Sequence, residues 1–294
     1  MEEIKAKTLL SSYQPNSSWF GHHYNLNIYK GCSHGCIYCD SRSDCYRIEN
    51  FDEVKAKEHA MIILEKELKS KRKKGVIGSG AMSDPYNPQE RIHQLTRQSL
   101  MLINKYRFGV SLTTKSSLIE RDLDLLVEIK KHSPVLVLMT ITTFDDSLAS
   151  VLEPRVSTSS QRFETLRKFG QAGIPTGILM MPILPFINDT EENIQSIVHR
   201  GAQCGVRYIF PAFGVTTRQN QRDYYFEQLD RNFPGLKQKY IRAFGKRYVC
   251  DSPNAQKLAL LFQQECDKYS IRYQMGEIIR DYQSGFGEEQ LKLF

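Results

Sequence analysis

Short apolar runs rich in β-branched side chains alternate with segments of helical period along most of the chain. The runs at 24–28, 75–78, 109–112, 135–141, 176–181 and 207–210 read as strands. Helical period predicts helices over 52–70, with Val54, Met61, Leu64 and Leu68 on one stripe, and over 92–106, 121–131, 157–171 and 190–204. Asp189 with Glu192 predicts an N-terminal capping pair, and Gly173 and Gly205 fall just past helix ends, where a left-handed residue is wanted. Strands and helices in this alternation build βα units around a parallel sheet. Right-handed crossovers between the six strands would curl it into an α/β fold, a partial (β/α)6 TIM-like barrel with its functional groups at the C-terminal ends of the strands.

The pattern changes at both ends. A polar arm occupies residues 1–20 and the barrel 21–216. Polar, Tyr-rich helical segments at 222–229, 236–244 and 255–269 mark a C-terminal helical extension over 217–283, and 284–294 reads as a flexible tail. Of 294 residues, 40% are hydrophobic and 25% charged, the balance of a soluble globular chain. No run approaches the roughly 18 apolar residues of a membrane span. The start, Met1-Glu2-Glu3-Ile4-Lys5, lacks the basic-then-apolar order of a secretory signal, so a cytoplasmic protein with no membrane partner is expected. The net charge of +7 suits an anionic partner and equally suits plain solubility.

Seven cysteines are too few for a disulfide scaffold at this length, the number is odd, and three crowd together. Tyr29-Lys30-Gly31-Cys32-Ser33-His34-Gly35-Cys36-Ile37-Tyr38-Cys39 follows the first strand, which puts three thiols on one loop at the functional end. The C-x-x-x-C-x-x-C spacing can gather three thiolates around one inorganic centre, with Gly31 and Gly35 letting the backbone bend closely. Three ligands leave one metal position open. A structural zinc would want a fourth, for which His34 and Cys45 are candidates; a four-iron cluster needs none. Cys204 shares a helical stripe with Ile194, Ile197 and Val198 and reads as core, while Cys45, Cys250 and Cys266 have no close partner in sequence.

Beyond the cysteines, four further motifs stand in a fixed order: Ser83-Asp84-Pro85-Tyr86-Asn87-Pro88; Thr114-Lys115-Ser116 with Arg121-Asp122; Glu153-Pro154-Arg155; and Gly173-Ile174-Pro175 leading to Pro182-Ile183-Leu184-Pro185-Phe186-Ile187-Asn188-Asp189. With the cysteine loop, and over roughly 24–213, they resemble the radical S-adenosylmethionine (SAM) superfamily and, within it, the spore photoproduct lyase-like branch of DNA repair enzymes. The resemblance implies a [4Fe–4S] cluster on Cys32, Cys36 and Cys39, SAM chelated at the open iron, and its reductive cleavage to a 5′-deoxyadenosyl radical that abstracts hydrogen from a substrate. It also implies tasks for single residues. Tyr38 packs beside the adenine, Ser83 meets the methionine moiety, and Lys115 faces the methionine carboxylate. Thr140 meets the ribose, and the backbone at Met181 meets the adenine edge. Arg155 is left between a substrate anion and an ion pair with Glu153.

One departure limits the resemblance. Spore photoproduct lyase has a cysteine just before this serine that returns a hydrogen atom; here the chain reads Gly80-Ala81-Met82-Ser83, with no cysteine between Cys45 and Cys204. Tyr224 or Tyr225 could replace it. The thymine-dimer substrate is therefore not carried over, although nucleic acid remains the expected partner. A protein or small-molecule substrate is the alternative, and a non-enzymatic iron–sulfur protein is the alternative of another class. An electron donor such as flavodoxin or ferredoxin is implied.

Two features bear on nucleic acid. Lys66, Lys69, Lys71, Arg72, Lys73 and Lys74 end the first helix, where they also complement its dipole, and bases interleave with aromatics from Arg218 to Tyr248. The ending Gln290-Leu291-Lys292-Leu293-Phe294 resembles the peptide by which bacterial repair proteins dock on the DNA sliding clamp, Leu291, Leu293 and Phe294 filling an apolar groove and Gln290 bonding at its rim. Deleting 290–294 is expected to abolish binding to a purified clamp in a pull-down while SAM cleavage persists; equal binding by both forms would remove the clamp from the list of partners.

Overall fold

The strand runs become strands because their alternate residues face two different apolar environments. The computed structural model, which describes residues 1–13, 19–80 and 82–286, has β1 (Tyr24–Leu26), β2 (Val76–Ser79), β3 (Gly109–Thr114), β4 (Val135–Thr140), β5 (Thr176–Met180) and β6 (Tyr208–Pro211). They pair in parallel with their chain neighbours, in register such that Gly78 lies opposite Ser111 and Thr140 opposite Leu179. Ile77, Val110, Val137, Ile178 and Ile209 point to the helix-covered face, and Val76, Leu136, Leu138, Leu179 and Tyr208 to the other. Strand Leu10–Ser12 adds antiparallel to the free edge of β1, so the 1–20 arm contributes to the sheet. That strand and β6 are the sheet's two edges among the described residues, which leaves it an open, partial barrel.

The barrel helices are α1 (Ala60–Ser70), α2 (Leu95–Lys105), α3 (Leu123–Lys130), α4 (Ser159–Gln171) and α5 (Glu191–Gln203). α1 begins eight residues later than 52–70 implies, because Lys55–Lys57 is a strand between Glu3–Ile4 and Tyr29–Lys30. The 92–106 helix is interrupted at Gln94, which turns left-handed. The buried Glu90 carboxylate there accepts from the amides of Thr96 (3.0 Å) and Arg97 (3.3 Å) and so caps α2. The N-cap of α5 is Thr190, accepting from Asn193 N at 3.2 Å, rather than Asp189, whose carboxylate is held by the Ser252 hydroxyl at 2.6 Å. Gly173 and Gly205 have positive φ, as their positions past helix ends require.

The extension contains α6 (Gln221–Asn232), α7 (Leu236–Phe244) and α8 (Ala255–Lys268), and also a strand that its helical reading omitted, Val249–Asp251, which pairs with Gly214–Thr216 at the end of the barrel segment. A further helix, α9 (Met275–Gln283), lies on the sheet face that α1–α5 leave free. Ile278 and Tyr282 pack with Phe20, Leu136, Leu138, Leu179 and Tyr208, and the Tyr282 hydroxyl donates to the Phe20 carbonyl. The extension is thus part of the core and supplies the floor of the barrel interior. Cys204, Cys250 and Cys266 are buried in apolar clusters. Of the tail, Ser284–Phe286 are described; Gln290, Leu291, Leu293 and Phe294 lie outside the described residues.

Ile278 is fully buried in this floor. Ile278→Ala is expected to cost about 2–5 kcal/mol, read as a lowered midpoint in denaturant unfolding. A change within a few tenths of a kcal/mol would mean that α9 is not part of the barrel core.

Candidate active site at the strand ends

The cysteine loop has little regular hydrogen bonding of its own, and its shape comes from what surrounds it. Gly31 and Gly35 have φ of +81° and +74°; a Cβ on Gly31 would sit 2.5 Å from the Glu53 carbonyl and one on Gly35 2.8 Å from Arg155 Nη2. Cys32 N donates to Phe51 O (2.8 Å), Ile37 N to Leu152 O (3.0 Å), and Arg155 N to His34 O (3.1 Å). The loop is stitched on one side to 51–53 and on the other to 152–155.

Beneath it lies a cavity of about 490 Å³ at the C-terminal ends of the strands. Cys32, Cys36, Cys39, Tyr38, Lys115, Thr140 and Met181 all line it. Ser83 does not: its hydroxyl donates to the Gly31 carbonyl, while its neighbours Met82 and Asp84 face the cavity. Burial pushes the Cys32 thiol up to about 12 and raises those of Cys36 and Cys39, so a cationic centre is needed to hold them as thiolates. Lys115 supplies one positive charge nearby. Burial opposes its ammonium, but Cys36 and Glu153 outweigh that and raise its pKa, and it sits 5.9 Å from the Tyr38 ring centroid.

Two buried polar groups organise this end. Asp84 accepts from Thr114 Oγ1 (2.7 Å), Lys115 N (2.9 Å) and Tyr86 N (2.8 Å), and its other face meets His34 Nδ1 at 3.4 Å. One carboxylate therefore joins the ends of β2 and β3 to the cysteine loop. Glu153 accepts from the Tyr38 hydroxyl and pairs with Arg162 at 2.5 Å, both being almost fully buried. Arg162 in turn donates to Thr140 O and Ser157 O, each at 2.8 Å. Burial would raise the Glu153 carboxyl, yet Arg162 and Lys115 hold it below its ordinary range. The Glu153 partner is thus Arg162; Arg155 is more than half exposed and meets Asp52 at 3.2 Å.

Sequence reasoning did not single out Arg162 or the role of Asp84. The available signal for Asp84 was its place beside Ser83 in a strand-end motif. For Arg162 there was none, since an arginine on an amphipathic helix is normally solvated.

An open α/β barrel with three thiols on the loop after its first strand defines a cluster-binding enzyme of the partial-barrel class. The model of the radical SAM superfamily matches residues 26–197, and the chain belongs to that superfamily. Among relatives, an uncharacterized protein of Mycobacterium tuberculosis is 26% identical over 245 residues, 81% of this chain and 72% of its own length. One of Methanocaldococcus jannaschii is 35% identical over 175 residues, 58% of this chain and 64% of its own. Among solved structures, a mutant of spore photoproduct lyase superposes with a TM-score of 0.68 at 14% identity, covering 93% of this chain and 80% of that one. A radical SAM methyltransferase from Kitasatospora setae gives 0.56 at 11% identity, over 82% and 51%. These last two share the fold. The protein is a radical SAM enzyme, and its cofactors are a [4Fe–4S] cluster and SAM.

The residues present fit that group. Three cysteines on one short loop supply the usual donors and leave a fourth position free, and the buried cation of Lys115 adjoins them. Among the described residues no three His, Cys, Asp or Glu side chains converge closely enough for a single ion. A four-iron core asks for less, since each thiolate binds its own iron.

Arg162→Met should destabilise the fold by about 3–5 kcal/mol, because it strands Glu153 as a buried charge. The double variant Arg162→Met/Glu153→Gln should recover much of that loss in denaturant unfolding. Equal midpoints for the single and double variants would show that the pair is not coupled.

Proposed function

We propose that this enzyme acts on nucleic acid, a DNA lesion being the specific reading, and that Cys32, Cys36 and Cys39 hold the cluster. The observation that carries the substrate class is the rim of the cavity. Arg42 lies over Tyr224 (3.9 Å to the ring centroid) and Phe51 (4.8 Å), and Arg218 lies between Tyr248 (5.2 Å) and Tyr46 (5.7 Å). Asp40, which lines the cavity, is 3.1 Å from Arg218, so the Arg218, Tyr46 and Tyr248 group borders the opening, while Arg42 and Phe51 are nearly buried beside it. Stacked rings beside fixed cations suit a single-stranded or flipped-out nucleotide. Structures of spore photoproduct lyase with a dinucleoside spore photoproduct share the fold, which supports the same class.

A cluster held by Cys32, Cys36 and Cys39 would, when bound and reduced, supply the electron for reductive cleavage of SAM. The chain's own residues orient and shield that step. Lys115 places its charge for the methionine carboxylate, and Tyr38, fixed by Glu153, offers its ring to the adenine. Thr140 offers a hydroxyl to the ribose, and the backbone at Met181 borders the adenine edge. Ser83, which the resemblance assigns to the methionine moiety, donates to the Gly31 carbonyl instead and braces the loop. An electron donor of the flavodoxin or ferredoxin kind, a sliding clamp held through 290–294, and a cytoplasmic location complete the proposal. No helix among the described residues is long and apolar enough to cross a membrane.

A small-molecule substrate is the second reading. It is favoured by Asp52 and Asp40, which neutralise Arg42, Arg155 and Arg218 at the rim.

Anaerobically reconstituted, reduced enzyme supplied with SAM and perdeuterated damaged DNA should yield 5′-deoxyadenosine carrying deuterium, measured by mass spectrometry. Cys36→Ala should yield none. Unlabelled product with DNA, and labelled product with a deuterated peptide or metabolite, would replace the substrate class; cleavage retained in Cys36→Ala would overturn the ligand assignment.

A further inference from the structure

The barrel interior contains a polar group that the chemistry above does not use. His22 is 5% exposed, and neither ring nitrogen has a hydrogen-bond partner among the described residues. The ring lies flat against β2 at Gly78, where a Cβ would come within 2.0 Å of Nδ1, so that position must be glycine for the imidazole to fit. Tyr13 meets it edge-on at 5.9 Å, and the Phe20 ring lies tilted to it at 6.5 Å. Ser111, opposite Gly78 in the strand register, is fully buried and its hydroxyl is likewise unpartnered. His22, Tyr13, Trp19 and Asn25 line the same cavity as the three cysteines. Asn25 is on β1, and Tyr13 and Trp19 flank the sheet's arm.

Burying polar atoms without partners is costly, and native chains seldom retain such groups unless a ligand or an ordered water completes them. Here an apolar ring of the same shape would fill the space against Gly78 without that cost. Burial lowers the His22 pKa to about 4, with His23 adding to the effect, so the ring is neutral near pH 7. A neutral imidazole offers one N–H donor and one nitrogen acceptor in a plane. Asn25 adds an amide with both functions. Such a pair is complementary to a flat heterocycle that carries a donor beside an acceptor, and the aromatic faces of Tyr13 and Trp19 suit the ring itself.

We propose that His22, supported by Asn25, is the polar contact that positions the substrate at the inner end of the cavity, binding the hydrogen-bonding edge of a nucleobase. This rests on the nucleic-acid reading of the site and goes further by naming the residue and the edge it meets. It makes His22 a positioning residue.

The test uses reconstituted holoenzyme with SAM present and thymidylyl-thymidine as the probe, its binding followed by calorimetry. His22→Phe should bind the probe at least tenfold more weakly, and His22→Gln, which keeps a donor and an acceptor, should recover part of that loss. The melting temperature of His22→Phe should equal or exceed that of the unaltered protein, because an unpaired buried group has been removed. A loss of probe binding accompanied by a lower melting temperature, without recovery in His22→Gln, would reduce His22 to a structural residue. Equal probe affinity in all three proteins would overturn the role of His22 while leaving the nucleic-acid reading standing. No binding by the unaltered protein, together with unlabelled 5′-deoxyadenosine in the deuterated-DNA experiment, would remove both. Weakened SAM binding in place of weakened probe binding would move the imidazole to the cofactor and overturn the proposal.

Discussion

The buried ion pair between Glu153 and Arg162 is what the active end of this barrel depends on. A loop of nine residues with three cysteines and two glycines cannot hold one shape through its own backbone, so it must borrow rigidity. Glu153 provides it by accepting from Tyr38 inside the loop, and Arg162 passes the constraint to the carbonyl that ends β4. A carboxylate this deeply buried would protonate without a partner, and a protonated Glu153 would lose its hold on the guanidinium. The second anchor, Asp84, repeats the logic on the other side with backbone and hydroxyl donors from β3. Asp84 lies in the segment after β2 and Glu153 caps the short helix Asp146–Leu152, and each is tied through its partners to a strand end, Thr114 of β3 and Thr140 of β4.

How much of this was legible follows from the range over which each signal acts. All six barrel strands overlap the apolar runs with ends within two residues, and α4, α7 and α8 likewise lie within two residues of their predicted ends. The cysteine spacing is local too, and it marks one wall of the cavity. Pairings between distant segments leave no such trace. Nothing in Arg162's surroundings in sequence separates it from the solvated arginines of other helices, and Arg155 was the more conspicuous candidate because it adjoins Glu153. The actual geometry reverses the two: Arg155 turns outward to Asp52, and Arg162 reaches in. Ser83 shows the same limit in another form, since a strand-end hydroxyl can face a cavity or its own loop, and only the three-dimensional course of Gly31 decides.

The floor of the barrel was the least legible part. α9 comes from the far end of the chain, and its stripe of Met275, Ile278 and Tyr282 is too short to announce an interior helix. Its partner, the turn at Trp19–Gly21, lies in what looked like a polar arm. Together they close the side of the sheet that helices α1–α5 leave open, and this closure makes a cavity of what would otherwise be an exposed concave surface. The floor also sets the electrostatics above it: His22 is buried beside Phe20, and that burial lowers its pKa.

The missing cysteine can now be placed in that cavity. Met82 lines it beside Asp84, at the strand end where the spore lyase resemblance calls for a thiol. A thioether has no S–H bond, so it cannot return a hydrogen atom as a thiol does. Neither candidate on α6 lines the cavity: Tyr225 is fully buried with its hydroxyl bonded to Tyr240, and Tyr224 stacks under Arg42. Among the described residues the only thiols facing the cavity are the three on the loop, which the cluster would occupy. The barrel is thus shared with the spore lyase fold, while the residue beside Asp84 in this cavity carries no transferable S–H hydrogen.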